Sequence, residues 1–203
     1  MPAENATTLS YIITTKNKLP YLKESMGRLL QHVKEGEEII VADAESTDGT
    51  KEFLNDLKRS GKIEYFVSEP DFGESHGLNK LLLAARGTLI KIITDDDVFH
   101  YPAIEACKKF MLAETQVDMV STEGGFKDQN IATGVRPLVY EQGYRQWQKD
   151  HTPFSFCGLG TMIRRSSLPL LGLWNPSFRR ADAEFSLRVT AGKANIAWYT
   201  GYS

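Results

Sequence analysis

Thr88-Leu-Ile-Lys-Ile-Ile-Thr94 followed by Asp95-Asp96-Asp97 decides the fold of this chain. The first seven residues form an apolar, β-branched run of strand length, and a helix signal begins a few positions later at Pro102. A strand that hands over to a helix is the repeating unit of an α/β protein. The acidic ending carries chemistry. In an effective dielectric of about 20, unit charges a few Å apart repel by roughly 4 kcal/mol, so three carboxylates at a buried strand end need a cation. Carboxylates without His or Cys beside them suit hard divalent ions such as Mg²⁺ or Mn²⁺, which keep positions open for phosphate oxygens. The competing reading is a solvated acidic turn that caps the next helix.

Upstream of this stretch, strand and helix patterns alternate. Leu9-Ser-Tyr-Ile-Ile-Thr-Thr15 reads as a strand, and Leu22, Met26, Leu29, Leu30 and Val33 then form the stripe of an amphipathic helix over Tyr21 to Val33. Glu38 to Asp43 is the second strand, Thr50 to Leu57 a helix with Phe53, Leu54 and Leu57 on one face, and Ile63 to Val67 the third strand. A helix through Leu78, Leu81, Leu82 and Ala85 is expected to end at a Gly87 cap. Right-handed crossovers would align the carboxyl ends of these strands along one edge, where ligands sit in open α/β sheets. The expected fold is α/β, a Rossmann-like, mostly parallel sheet with helices on both faces.

Downstream, Ile104 to Met111 is another helix, and Ser121 to Phe156 shows no sustained period, so a long functional excursion rather than a second domain is expected there. Cys157 to Arg164 is strand-like, Ala183 to Ala191 helical, and Asn195 to Tyr199 a final strand. The chain stops just after it, so a truncated or naturally short form is expected. One domain over residues 1–203 accounts for the length. A net charge of −2 and the lack of a Lys/Arg-rich block argue against nucleic acid as a partner. Apolar runs stay far below the ~20 residues of a membrane span, Met1-Pro-Ala-Glu-Asn5 has no signal-peptide character, and Cys107 and Cys157 read as reduced core thiols. The expected location is cytoplasmic, with peripheral association at the inner face of the membrane compatible with it.

Four polar clusters stand at or near predicted strand ends: Thr14-Thr15-Lys16-Asn17, Asp43-Ala-Glu-Ser-Thr-Asp-Gly-Thr50, Glu69-Pro-Asp-Phe-Gly-Glu-Ser-His-Gly-Leu-Asn-Lys80 and Thr94-Asp-Asp-Asp-Val98. Asp43 could accept from the N–H of a nucleobase, and Ser46, Thr47 and Asp48 could cap the next helix. In this order and at these separations the clusters resemble the inverting family 2 glycosyltransferases of the GT-A fold, over about Leu9 to Val189. The stretch from Glu69 to Lys80 is close to a pattern of bacterial cell-surface polysaccharide transferases.

The resemblance implies a hexosyltransferase-type enzyme that moves a sugar from a nucleotide diphosphate-sugar to a hydroxyl of a glycan or lipid-linked acceptor, with Mn²⁺ or Mg²⁺ as cofactor. It implies a nucleotide-binding half in residues 1–100, an acceptor-binding half in 101–203 with the aperiodic stretch as an acceptor-side excursion, nucleotide-side roles for Thr14, Thr15, Asn17, Asp43, Asp71, Asn79, Asp95 and Asp96, and a metal ligand in Asp97. Phe178-Arg-Arg-Ala-Asp-Ala-Glu-Phe-Ser-Leu-Arg188 is similar to the family's base-bearing segment, and by that match Asp182 is the general base. Two departures stand out. Ala181 occupies an often acidic place, and Gly158-Leu159 replaces the His-Gln of many relatives. Trp147, Phe154, Phe156 and Trp174 are candidates for sugar stacking, with core packing as the alternative. A nucleotidyltransferase and a catalytically silent nucleotide-sugar-binding module are the competing functions; the first should show a Gly-rich phosphate loop after strand one, where Thr14 to Lys18 has no glycine.

Overall fold

In the computed structural model, residues 7–127, 134–192 and 194–202 are described. A seven-stranded sheet runs in the order β3-β2-β1-β4-β8-β5-β9, where β1 is Leu9–Thr15, β2 Glu37–Asp43, β3 Tyr65–Ser68, β4 Leu89–Thr94, β5 Met119–Glu123, β8 Met162–Arg164 and β9 Ile196–Tyr202. The β3-β2-β1-β4 half is parallel, β8 is antiparallel to both neighbours, and β5 and β9 are parallel again. Helices α1 (Leu19–Leu29), α2 (Thr50–Arg59), α3 (Glu74–Ala84) and α4 (Tyr101–Ala113) make the crossovers of the first half. Among the described residues no helix is long and apolar enough to cross a membrane.

Alternation along the buried strands builds two cores. Leu9, Tyr11 and Ile13 of β1, with Ile39 and Val41 of β2, meet Leu22, Met26 and Leu29 of α1, Leu54 and Leu57 of α2, and Ile104 and Met111 of α4. Ile12, Ile40, Ile90 and Ile92 point to the other face and meet Leu78, Leu81 and Leu82 of α3 and Phe185 and Val189 of α7 (Ala181–Ala191). Strands covered on both faces read as continuous apolar runs, which is why β1, β2 and β4 are legible. Each fully buried aliphatic side chain contributes roughly 1.5–3 kcal/mol. Pro20 and Pro102 stand in the first turns of α1 and α4, where a missing N–H costs nothing.

Parallel register sets the functional edge. Thr14 lies opposite Thr94, and Thr15 opposite Asp43, so the ends of β1, β2 and β4 coincide. Gly87 is not a helix cap: α3 ends at Ala84, and the Gly87 N–H donates to Ser10 Oγ at 2.8 Å. A Cβ at Gly87 would stand 2.6 Å from the Ser10 backbone nitrogen, so close strand approach is what requires glycine.

The second half departs further from its sequence pattern. The stretch expected to lack elements contains the end of β5, a hairpin of β6 (Gly125–Lys127) and β7 (Val135–Pro137), and α5 (Glu141–Asp150). No α5 residue is fully buried; Tyr144 and Trp147 lean onto Phe154, and Tyr144 stacks on Trp198. A helix held by two aromatic anchors has too few apolar positions to show a period. Of the strand-like run Cys157 to Arg164, only Met162–Arg164 pairs, because Gly158–Gly160 winds into a 3₁₀ turn. A short helix α6 (Leu168–Leu171) precedes α7.

Candidate active site

A cavity of about 390 Å³ opens at the carboxyl ends of β1 and β4 and is lined by Thr14, Thr15, Asp71, Asp95, Asp96, Asp97 and Asp182, together with Lys16, Lys18, Glu74, Cys157 and Leu159. Seven of the ten residues singled out from sequence therefore share one wall, although Thr14 and Asp182 lie in different halves of the chain. Asn17 and Asn79 are outside that wall, as is Asp43, whose neighbour Ala44 lines it.

The acidic triplet is divided by environment. Asp95 is buried and accepts from Thr15 Oγ1 at 2.7 Å and from Lys18 Nζ at 3.3 Å. Lys18 Nζ also donates to Asp96 at 2.5 Å. Burial pushes the Asp95 carboxyl above its ordinary value, against the pull of Thr15 and Lys18. Lys18 itself is held above the usual lysine value, chiefly by its bond to Asp96. Lys18 is thus a cation that stands between two of the three carboxylates. Its signal was its place just past the end of β1, beside the strand that carries the triplet. Asp97 is exposed and accepts from Thr94 Oγ1 at 2.6 Å. Among the described residues no set of three or more His, Cys, Asp or Glu side chains is gathered to hold a metal. The available donors are the hard oxygens of Asp95, Asp96 and Asp97, and divalent ions of this class commonly use only one or two protein carboxylates plus phosphate and water.

The loop residues hold the rim. Asn17, with φ of 52°, accepts the Thr47 N–H at 2.8 Å and donates its own N–H to Ser46 Oγ at 2.8 Å, which latches the end of β1 to the β2–α2 loop. Buried Asp43 accepts from the Ser46 N–H and from Ser68 Oγ at 2.7 Å. Asp48 accepts from Thr50 at the start of α2 and from the Leu19 N–H at the start of α1.

Most of the stretch from Glu69 to Lys80 builds structure. Glu69 and Lys80 close it with an ion pair of 2.7 Å, Asp71 accepts the Gly73 N–H at 3.0 Å, and His76 Nδ1 accepts the Phe72 N–H at 3.1 Å. Gly73, with φ of 103°, starts α3 in backbone space that favours glycine. A Cβ on Gly77 would meet Thr14 Cγ2 at 2.9 Å, so this glycine lets α3 sit against the end of β1. Asn79 grips the Trp174 backbone with both ends of its amide, at 2.7 and 2.9 Å. The same tryptophan stacks on Phe185 at 3.8 Å and donates its indole N–H to Asp182 Oδ1 at 3.2 Å.

Asp182, in the first turn of α7, is thus held from two sides, since Oδ2 accepts the Gly158 N–H at 3.0 Å. A Cβ at Gly158 would lie 2.7 Å from Asp182 Oδ1, so the departure at this place is what admits the carboxylate. The turn is tied from below by Lys91, fully buried on β4, which donates to the Leu159 carbonyl and lies 5.4 Å from the Phe99 ring centroid. Burial lowers Lys91 to about 8. Glu184 is engaged elsewhere: it forms an ion pair with Arg188 at 2.7 Å, and Arg188 also donates to the Leu171 and Leu173 carbonyls. Glu74 keeps a solvent-accessible face, yet the protein packed around it and then the charges of Asp182 and Asp95 raise its pKa.

Beyond Asp182 a second cavity of about 730 Å³ is lined by Phe72, Phe126, Tyr140, Phe156, Trp174, Phe178, Arg179 and Arg180. Asp182, Glu74 and Cys157 belong to both walls and so mark the junction. Of the four aromatics proposed for stacking, Phe154, Phe156 and Trp174 are buried, and half-buried Trp147 donates its indole N–H to the Thr190 carbonyl at 2.7 Å. The solvent-facing rings are others: Phe72 is 87% exposed, Phe126 63% and Phe178 52%.

Residues 10–170 match the family described as Glycosyl transferase family 2. The chain belongs to that family. An "Uncharacterized glycosyltransferase" of Rickettsia bellii (strain RML369-C) is 25% identical over 124 residues, 58% of this chain and 18% of that protein. Among solved structures, S. aureus TarS superposes with a TM-score of 0.69 at 19% identity, over 96% of this chain and 36% of that one. The mannosyltransferase PcManGT from Pyrobaculum calidifontis, solved with GDP-Man and Mn²⁺, superposes with a TM-score of 0.67 at 20% identity, over 94% and 56%. A complex of S. aureus TarS 1–349 with UDP-GlcNAc gives a TM-score of 0.67 at 16% identity, over 97% and 59%. The chain therefore has the GT-A fold and spans less than two thirds of each of these relatives.

Proposed function

We propose that this family 2 domain transfers a sugar, with inversion, from a nucleotide diphosphate-sugar to a hydroxyl of a glycan or lipid-linked acceptor. The observation that carries the reading is that Asp182 shares a cavity wall with Asp95, Asp96 and Asp97 while also bordering a second, aromatic-lined cavity. Donor and acceptor sides of a displacement need such a carboxylate between them. The acceptor oxygen attacks the anomeric carbon, the bond from that carbon to the diphosphate oxygen breaks with its electron pair, and the hydroxyl proton passes to Asp182. Thr14, Thr15 and Asp71 would line the donor, with Asn17 and Asp43 shaping the rim that meets the base and Asn79 acting through Trp174. A divalent ion, Mn²⁺ or Mg²⁺, held by Asp97 with Asp95 or Asp96 beside it, would offset the charge of the departing diphosphate. The bound nucleotide-sugars and Mn²⁺ of the structural neighbours support this reading.

The test is calorimetric titration of UDP, GDP and their sugars with Mn²⁺ and with chelator, on the wild type and on Asp97→Ala. Tighter binding with Mn²⁺ that Asp97→Ala abolishes is expected; equal affinity in both conditions would remove the metal from the reading. Binding of a nucleotide-sugar without turnover on any hydroxyl acceptor would favour a silent binding module.

A further inference from the structure

We propose that the second cavity selects an anionic saccharide acceptor, with Arg179 and Arg180 receiving the acceptor's phosphate or carboxylate group. This rests on the transferase reading above and deepens it by naming the acceptor class. Arg28, Arg59, Arg86, Arg145 and Arg188 each hold a carboxylate of this chain. Arg179 and Arg180 are exposed, line the cavity, and have no ion pair or side-chain hydrogen bond among the described residues. A guanidinium presents a fixed fork of donors that fits a phosphate or carboxylate two bonds at a time, so two adjacent unpartnered forks on a cavity wall form a receptor for such a group.

The cavity is also polarised along its length. Asp182 and Glu74, shared with the donor-side cavity, occupy its inner end, whereas both arginines border the outer cavity alone. An anionic group is therefore repelled from the carboxylates and drawn toward the arginines, which leaves a hydroxyl of the same molecule at Asp182. The exposed rings of Phe72 and Phe178 line the same cavity. Large aromatics left in water rather than in the core mark a binding surface, and the apolar face of a pyranose packs on such rings. A neutral glycan would use the rings and ignore the arginines, and a bare phosphate would use the arginines and ignore the rings.

Matched probes test this. Methyl glucoside, methyl galactoside and methyl N-acetylglucosaminide, each alongside its 6-phosphate, are titrated by saturation-transfer NMR into the full chain loaded with nucleotide. At least one phosphorylated probe should bind about tenfold more tightly than its neutral partner, with an advantage that shrinks as salt rises and disappears in Arg179→Gln/Arg180→Gln. Nucleotide binding should be the same in that variant, which shows that it is folded and that the donor side is intact. Equal binding within every pair, no binding of any probe, or a preference that survives the double substitution overturns the proposal. Co-sedimentation with phosphatidylglycerol vesicles by a protein that ignores every soluble phosphosugar assigns the arginines to a lipid surface and also overturns it. Loss of nucleotide binding by the wild type overturns the transferase reading instead.

Discussion

Asp182 and Glu184 stand two positions apart on α7, and their partners separate their roles. Asp182 borders both cavities and, among the described residues, accepts from a backbone N–H and an indole N–H alone, so a lone pair remains for an acceptor hydroxyl. Glu184 is tied to Arg188, which in turn holds the segment between α6 and α7. Asp182→Asn should lower transfer by roughly 10² to 10⁴-fold with donor affinity unchanged, as loss of a positioned base does. Glu184→Gln should instead lower the melting temperature and leave the rate per folded molecule near wild type. Steady-state kinetics alongside thermal melts separate the two, and a dead Glu184→Gln with an active Asp182→Asn would exchange their roles.

At the scale of elements, the 3₁₀ turn Gly158–Gly160 links the sheet to α7, since Lys91 on β4 holds Leu159 and Gly158 holds Asp182. Gly158→Ala puts a methyl 2.7 Å from Asp182 Oδ1 and should reduce turnover at least tenfold with little change in nucleotide binding, measurable by kcat against donor Kd. Lys91 makes a pH prediction with a definite sign. Its folded pKa of about 8 lies below the unfolded value near 10.5, so between these limits the unfolded chain binds the extra proton and stability rises with pH. Below about 8 both states carry the charge, and the folded state keeps it buried. The difference in unfolding free energy between wild type and Lys91→Met, from denaturant melts, should therefore move in favour of wild type from pH 8 to pH 10.5. A difference that stays flat would mean that Lys91 keeps an ordinary pKa.

For the molecule as a whole, Glu38 is the buried polar group that ties the sheet's amino-terminal edge. It accepts from Ser10 Oγ on β1 at 2.6 Å and from the N–H and Nε of Arg86, ahead of β4, at 2.7 and 2.9 Å. Burial opposes its charge, but these donors prevail and hold its carboxyl below the ordinary glutamate value of 4.5. With the folded pKa lowered, the unfolded chain takes up the proton first, so stability is present above pH 4.5 and is lost as pH falls through the folded value. Glu38→Gln should flatten that acid limb of an unfolding profile. The first half of this architecture was legible because strand and helix periods depend on neighbours a few positions apart; β1, β2, β4 and α1 to α4 lie close to their apolar runs. The candidate base and the acidic triplet were legible from short motifs. Tertiary structure alone decided that Lys18 answers Asp95 across 77 positions and that Asn79 holds Trp174 across 95. It also decided that α5 forms on two aromatic anchors, and that Phe72 and Phe178 face solvent while Phe156 and Trp174 are buried. The physical reason is that partner choice and burial depend on which elements cross in space, and a local pattern of residue types carries no record of that.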